Sequence, residues 1–207
     1  MKKKSSLISL STLVVLLVGA TLLLEYCRPT AGKTETPEDE NSKAEFVGDK
    51  SCQSCHAKEH ALWQESDHFK AMMPANDSTV LGDFNNATLT ADGVTSHFFK
   101  KDGKYIINTE GPDGKNHDYV VLHTFGYKPL QQYLVAFPGG RMQVPRVSWD
   151  VNAKKWFHQY AGQKIDAHDW LHWSKGGQNW NTMCASCHST NLQKNYMATT
   201  DSFHTTW

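Results

Sequence analysis

Two stretches of this 207-residue chain place the same reactive side chains at the same spacing. "GDKSCQSCHAKEHALW" (residues 48–63) contains Cys52, Cys55 and His56, and "NTMCASCHSTN" (residues 181–191) contains Cys184, Cys187 and His188. A C-x-x-C pair serves zinc binding, thiol–disulfide exchange or, with a histidine directly after it, covalent attachment of a c-type haem. In the last case the two thiols add across the haem vinyl groups as thioethers. The histidine then sits beneath the iron and ligates it, which a cysteine pair alone does not provide. Zinc would use both pairs, which lie 129 residues apart (184 minus 55), and leaves the repeated histidine unexplained. A redox C-x-x-C wants a βαβ setting that the sequence lacks, and two disulfides at this spacing would be strained. The expected cofactor is therefore haem c, two of them, with Cys52, Cys55, His56, Cys184, Cys187 and His188 as the attachment residues.

Eleven histidines leave nine for the sixth iron position. His60 follows His56 by four residues on one helix face and cannot reach the far side of the same ring, so it reads as a surface histidine ahead of a ligand to another haem. His68, in "ESDHFKAM" after a helix break, is the best distal candidate. His172, between two tryptophans in "DWLHWSK", and His158, in "KWFHQY", follow it. Met72 and Met73 are alternatives that would raise the potential. His97, His117, His123, His168 and His204 read as exposed or structural. Trp63, Phe69, Trp170, Trp173 and Trp180 lie near the motifs and suit a large flat apolar cofactor.

These residues need elements to position them. Residues 53–66 read as a helix with Ala57, Ala61 and Leu62 near one face. Ser66 or Asp67 caps a second short helix carrying His68 and Met72, ended by Pro74. Residues 75–92 read as loop. From 94 to 126, β-branched and aromatic runs are split by "KKDGK" and "EGPDGK", which are hairpin signals. Residues 141–160 look like another hairpin, and "KPLQQYLVAF" between them is a short helix or a strand. Residues 181–191 form a turn leading into a short helix. The expected fold class is α+β: haem-binding short helices and loops flanking an antiparallel β insert, preceded by an N-terminal apolar helix.

That N-terminal helix is Leu7 to Leu24, 18 residues without charge behind "MKKKSS". The lysines stay in the cytoplasm and the rest of the chain is exported, to the periplasm or the outer face of the cytoplasmic membrane. The segment is an uncleaved anchor, a signal cleaved near "VGA", or a lipoprotein leader ending at Cys27, the one cysteine outside the motifs. Residues 28–46, charged and proline-containing, read as a flexible tether. The domains are thus 1–27 signal or anchor, 28–46 linker and 47–207 multihaem domain.

Zero net charge speaks against a nucleic-acid partner. No phosphate loop and no nucleophile–base set appears, so no catalytic residue is assigned. The expected function is one-electron transfer by an extracytoplasmic di-haem c-type cytochrome, with redox proteins or further haem domains as partners and the membrane met through the N-terminal segment. The alternative is a haem enzyme, or its electron-donor domain, acting on a small nitrogen or sulfur oxyanion. A non-haem metal or interaction module is the third reading.

"VGDKSCQSCHAKEHALWQESDHFKAM", "VLGDFNNAT", "FGYKPLQQYLVAFPGGRMQ" and "QNWNTMCASCHSTNLQKNY" resemble a bacterial family of multihaem c-type cytochromes. Its members carry a domain like that of the five-fifty-four cytochrome of ammonia oxidisers, often followed by tetratricopeptide repeats. The resemblance runs from about Val47 to Trp207. It implies closely packed haems, commonly with two histidines on iron, and His68 matches a distal ligand there. His158 and His172 fall in segments similar to family segments. Such proteins usually continue into a further C-x-x-C-H, so this chain reads as C-terminally truncated.

Overall fold

A computed structural model describes residues 45–207. The expected N-terminal apolar helix, the signal or anchor segment and nearly all of the linker lie outside the described residues. Among the described residues no helix is long and apolar enough to cross a membrane.

The body is mostly β. Its strands are β1 (Ala87–Ala91), β2 (Val94–Lys101), β3 (Lys104–Glu110), β4 (Asn116–Phe125), β5 (Leu130–Phe137), β6 (Arg141–Gln143), β7 (Val147–Asp150) and β8 (Lys155–His158). They form one antiparallel sheet in the order β1-β2-β3-β4-β5-β7-β8, with β6 also pairing β5. The sheet curls until β8 approaches β1, where the Gly162 N–H donates to Asp92 Oδ1 at 2.9 Å. The result is a nearly closed barrel.

This overturns the α+β expectation. The sheet is the body of the domain, and the helices are short attachments: α1 (Lys50–Gln53), α2 (Ala57–Glu65), α3 (Asp67–Lys70), α4 (Trp180–Met183) and α5 (Ala185–His188). The expected single helix over 53–66 is two, broken at Ser54–His56. Residues 87–91 of the expected 75–92 loop are strand β1, and "KPLQQYLVAF" is a strand, β5, from Leu130 onward.

The hairpins follow from local chemistry. Asp92 and Gly93 have φ of 52° and 82°, and Asp102 and Gly103 have 51° and 73°. Two successive positive φ values make the primed turns that match strand twist. The registers Ala91↔Val94 and Lys101↔Lys104 accordingly leave two-residue loops.

Aromatic rings fill the barrel. Phe84 meets Phe98, Tyr105, Tyr133 and Trp156 edge-on at centroid distances of 5.0 to 6.0 Å. Phe98 stacks on Trp156 at 3.6 Å and 4°. Burying each such ring stabilises by about 1.5–3 kcal/mol. A polar network ties the 79–82 segment to β5. The Leu81 N–H and the Tyr133 hydroxyl both donate to Gln131 Oε1 at 2.8 Å, and the Gly82 N–H donates to the Tyr133 oxygen at 3.0 Å. A Cβ at Gly82 would run into that hydroxyl, which is why glycine stands there.

β4 is the strand on which everything else converges. Its N-terminal half pairs with β3 as far as Val120. A bulge at Leu122 then shifts the register, and residues 71–75 replace β3 at its edge. The Gly126, Thr124 and Ala75 amides donate to Ala71 O, Met73 O and Leu122 O at 2.8, 2.9 and 2.9 Å. The chain leaving the first cysteine motif is thereby fastened to the barrel.

Candidate functional site

Both cysteine motifs adopt the same backbone turn. In the first, the Cys55 and His56 amides donate to Cys52 O at 3.3 and 2.9 Å. In the second, the Cys187 and His188 amides donate to Cys184 O at 3.1 Å each. The four described thiols are free; Cys52, Cys55 and Cys187 are exposed and Cys184 is half-buried. Burial, and the neighbouring Cys187, push the Cys184 thiol pKa up. His56 and His188 are both exposed beside their thiols.

The first motif stands at the start of α2. Nothing apolar on this helix is buried; its one buried residue is His60. That imidazole bonds Asp49 Oδ2 through Nε2 at 2.9 Å, tying the helix to the residue before α1. The bond holds the Asp49 carboxyl below its ordinary pKa. The sequence reading placed His60 on the surface and missed this role. Leu62 is 59% exposed, Trp63 40%, and Phe46 and Val47 more so. The apolar side of this motif thus lacks a cover among the described residues. Ser66 caps α3 by accepting from the Phe69 N–H at 3.2 Å, as expected. His68 is exposed on α3.

The second motif is fixed against the outer face of β4, β5 and β6. Trp180, Ala185, Leu134 and Met142 form a buried cluster, with Met72, Phe125, Cys184 and Leu192 packed on it. Asn181 is fully buried and accepts from the Met142 N–H at 2.8 Å. Its amide nitrogen donates to Gly140 O at 3.2 Å and Thr205 Oγ1 at 2.8 Å. Phe125 meets the His188 ring at 4.7 Å. Met72, from the first motif's chain, and Cys184, from the second, therefore touch one cluster.

His158 and His172 are elsewhere. They line a cavity of about 60 Å³ at the barrel end with Asp92, Glu110 and Arg146, and no motif residue lines it. His158 Nδ1 lies 3.9 Å from Asp92 Oδ2, and His172 Nε2 lies 3.6 Å from Glu110 Oε2. His172 Nδ1 pairs with Ser174 Oγ at 2.7 Å. Burial lowers the pKa of both imidazoles, against the pull of the carboxylates. Trp173 is barrel core rather than a wall for the motifs, while Trp170 is exposed.

His123, expected to be exposed or structural, is half-buried on β4 on the side that carries the second motif. Its Nδ1 is buried without a hydrogen-bond partner, and so is the Nε1 of Trp180. Burial lowers its pKa.

These residues fit covalently held haem. The thiols are free, each histidine is exposed beside its pair, the first motif has uncovered apolar side chains, and the second has orphaned polar atoms beside it. Among the described residues no three His, Cys, Asp or Glu side chains are grouped to hold a bare metal ion, so the two cysteine pairs stand apart. The family described as cytochrome c554 and c-prime matches over residues 51–112. That span includes the first motif and His68 and stops before β4. No curated protein and no solved structure matches the chain.

Proposed function

We infer that this chain, which carries a c554-type cytochrome domain and with it haem c in an electron-transfer role, holds two haems and works outside the cytoplasmic membrane. The observation that carries the count is the identity of the two turns. The same pair of amides closes on the first cysteine carbonyl in both, with the thiols free and the histidine outward. The second turn lies beyond the family-matched segment, and it is no less well formed.

When bound, each haem supplies an iron that cycles between ferric and ferrous forms. The protein's own part is positioning. His60 and Asp49 brace the first turn, while Asn181 and the Trp180 cluster brace the second. His56 and His188 would each offer an imidazole nitrogen to the iron, and the exposed Phe46, Val47, Leu62 and Trp63 would offer the first haem apolar contact. The N-terminal lysines and apolar run support export, and the partner is a second redox protein.

The test is intact mass with a pyridine haemochrome assay on protein made in a host that matures haem c. The mass should exceed the polypeptide by two haems. Replacing Cys184 and Cys187 together with alanine should remove one, and replacing Cys52 and Cys55 the other. A single haem retained in the Cys184/Cys187 variant and also in the unaltered chain would reduce the proposal to a mono-haem protein.

A further inference from the structure

His123 has no place in the attachment motifs, yet its surroundings are those of a ligand. It follows the β4 bulge and pairs across the sheet with Leu134, a member of the buried cluster that carries the second motif. Two residues on, and therefore on the same face of the strand, Phe125 touches the His188 ring. The ring of Trp207 lies 5.3 Å from that of His123, and Trp207 in turn lies 5.1 Å from Trp180.

Within this run of rings two polar atoms lack partners: His123 Nδ1 and Trp180 Nε1. Leaving a buried polar atom unpaired costs about 1–3 kcal/mol, and native proteins seldom tolerate it without reason. Other unpartnered atoms lie elsewhere among the described residues, on Asp92, Gln143, Ser148 and Asn179, but of the six only His123 Nδ1 is an imidazole nitrogen. That nitrogen is able to give a lone pair. Trp180 Nε1 is an indole N–H, which only donates. Of the two, only the imidazole nitrogen could bind an iron.

We propose that His123 is the distal iron ligand of the haem carried by Cys184, Cys187 and His188. The proposal rests on the two-haem reading above. The other histidines are less suited: His158 and His172 face carboxylates in a separate cavity, and His68 is exposed on the first motif's own chain.

The experiment uses holoprotein matured with haem, with ferric spin state read by electron paramagnetic resonance and optical spectra, and haem count by mass. His123→Ala should keep both haems and turn one of the two from low-spin to high-spin. Added imidazole should restore the low-spin signal. His123→Met, which keeps a ligand and side-chain bulk, should stay low-spin, show thioether ligation and raise one potential; it serves if the alanine variant does not fold. His68→Ala should leave that same haem unchanged. Two haems with an unaltered low-spin spectrum in both His123 variants would overturn this proposal alone. An unaltered chain with no haem on Cys184 and Cys187 would overturn the two-haem reading and this proposal with it.

Discussion

Asn181 offers the sharpest test of how the barrel holds the second motif. It lies one helical turn before Cys184, is fully buried, and makes three hydrogen bonds to two separate segments. Asn181→Ala removes all three. The Met142 N–H would be left buried without an acceptor, at about 2 kcal/mol, and the two bonds to Gly140 O and Thr205 Oγ1 are worth about 1 kcal/mol each. The expected loss is about 4 kcal/mol, a large share of the roughly 5–15 kcal/mol typical of a domain. Asn181→Asp should do no better. Its carboxylate still accepts from Met142, but it sets an oxygen against the Gly140 carbonyl where a donor stood. Urea unfolding of the holoprotein measures the stability change. Peptide mapping should show haem lost from Cys184 and Cys187 before it is lost from Cys52 and Cys55. A loss below about 1 kcal/mol for Asn181→Ala would refute the reasoning, because water would then be replacing the three bonds at little cost.

Three further outcomes follow from the fold. Gly140→Ala should destabilise by about 2–3 kcal/mol, because φ is +67° and the new Cβ meets the Phe203 carbonyl, a backbone atom that cannot step aside; an unchanged denaturation midpoint would contradict this. Phe98→Ala should cost about 3–5 kcal/mol, since the ring is fully buried and stacked on Trp156, and a loss under about 1.5 kcal/mol by the same assay would mean the barrel core repacks. His158 and His172 have folded pKa values lowered by burial, so the stability from keeping them neutral is complete above the unfolded value of about 6.5 and is lost as pH falls through their folded values. Denaturation midpoints should therefore drop from about pH 6.5 downward, and His172→Gln should flatten that slope; a variant with the parent's slope would exclude His172 as a contributor.

The hairpin turning at Asp102-Gly103 was legible because its signal is local and can be read from two letters. Asp92-Gly93 carries the same two letters, but it closes a stretch whose polar, turn-rich composition reads as loop, so β1 was not legible. β5 was ambiguous for a physical reason. Gln131, Tyr133, Leu134 and Val135 are all fully buried, because one face of the strand lines the barrel and the other lies under the second motif. A strand covered on both sides loses the alternation that marks strands. The helix after the first motif misled in the opposite way. Ala57, Ala61 and Leu62 form an apolar side, but among the described residues only His60 is buried, since the side meets no other part of the described protein. The expected attachment residues rest on spacing alone, and the expected distal histidines on their aromatic flanks, which is a weaker signal because a barrel core uses the same rings. Trp156 and Trp173, which flank His158 and His172, are barrel core. For the role proposed for His123 the sequence offers only a lone histidine inside "VVLHTF"; the bulge and the unpartnered nitrogen belong to the fold.

The splice at the β4 bulge, where residues 71–75 take over the edge that β3 leaves, has a consequence for rate. The chain from one attachment turn is hydrogen-bonded to one edge of β4, and the cluster under the other turn rests on β4 and its neighbour across the opposite edge. Strand spacing in a sheet is nearly invariant. Electron tunnelling falls off exponentially with the gap between donor and acceptor. The two attachment turns are thus joined through a sheet ladder, with α2 and α3 between the ladder and the first turn, so for the two proposed haems thermal motion should vary the gap less than a flexible linker would and narrow the spread of transfer rates.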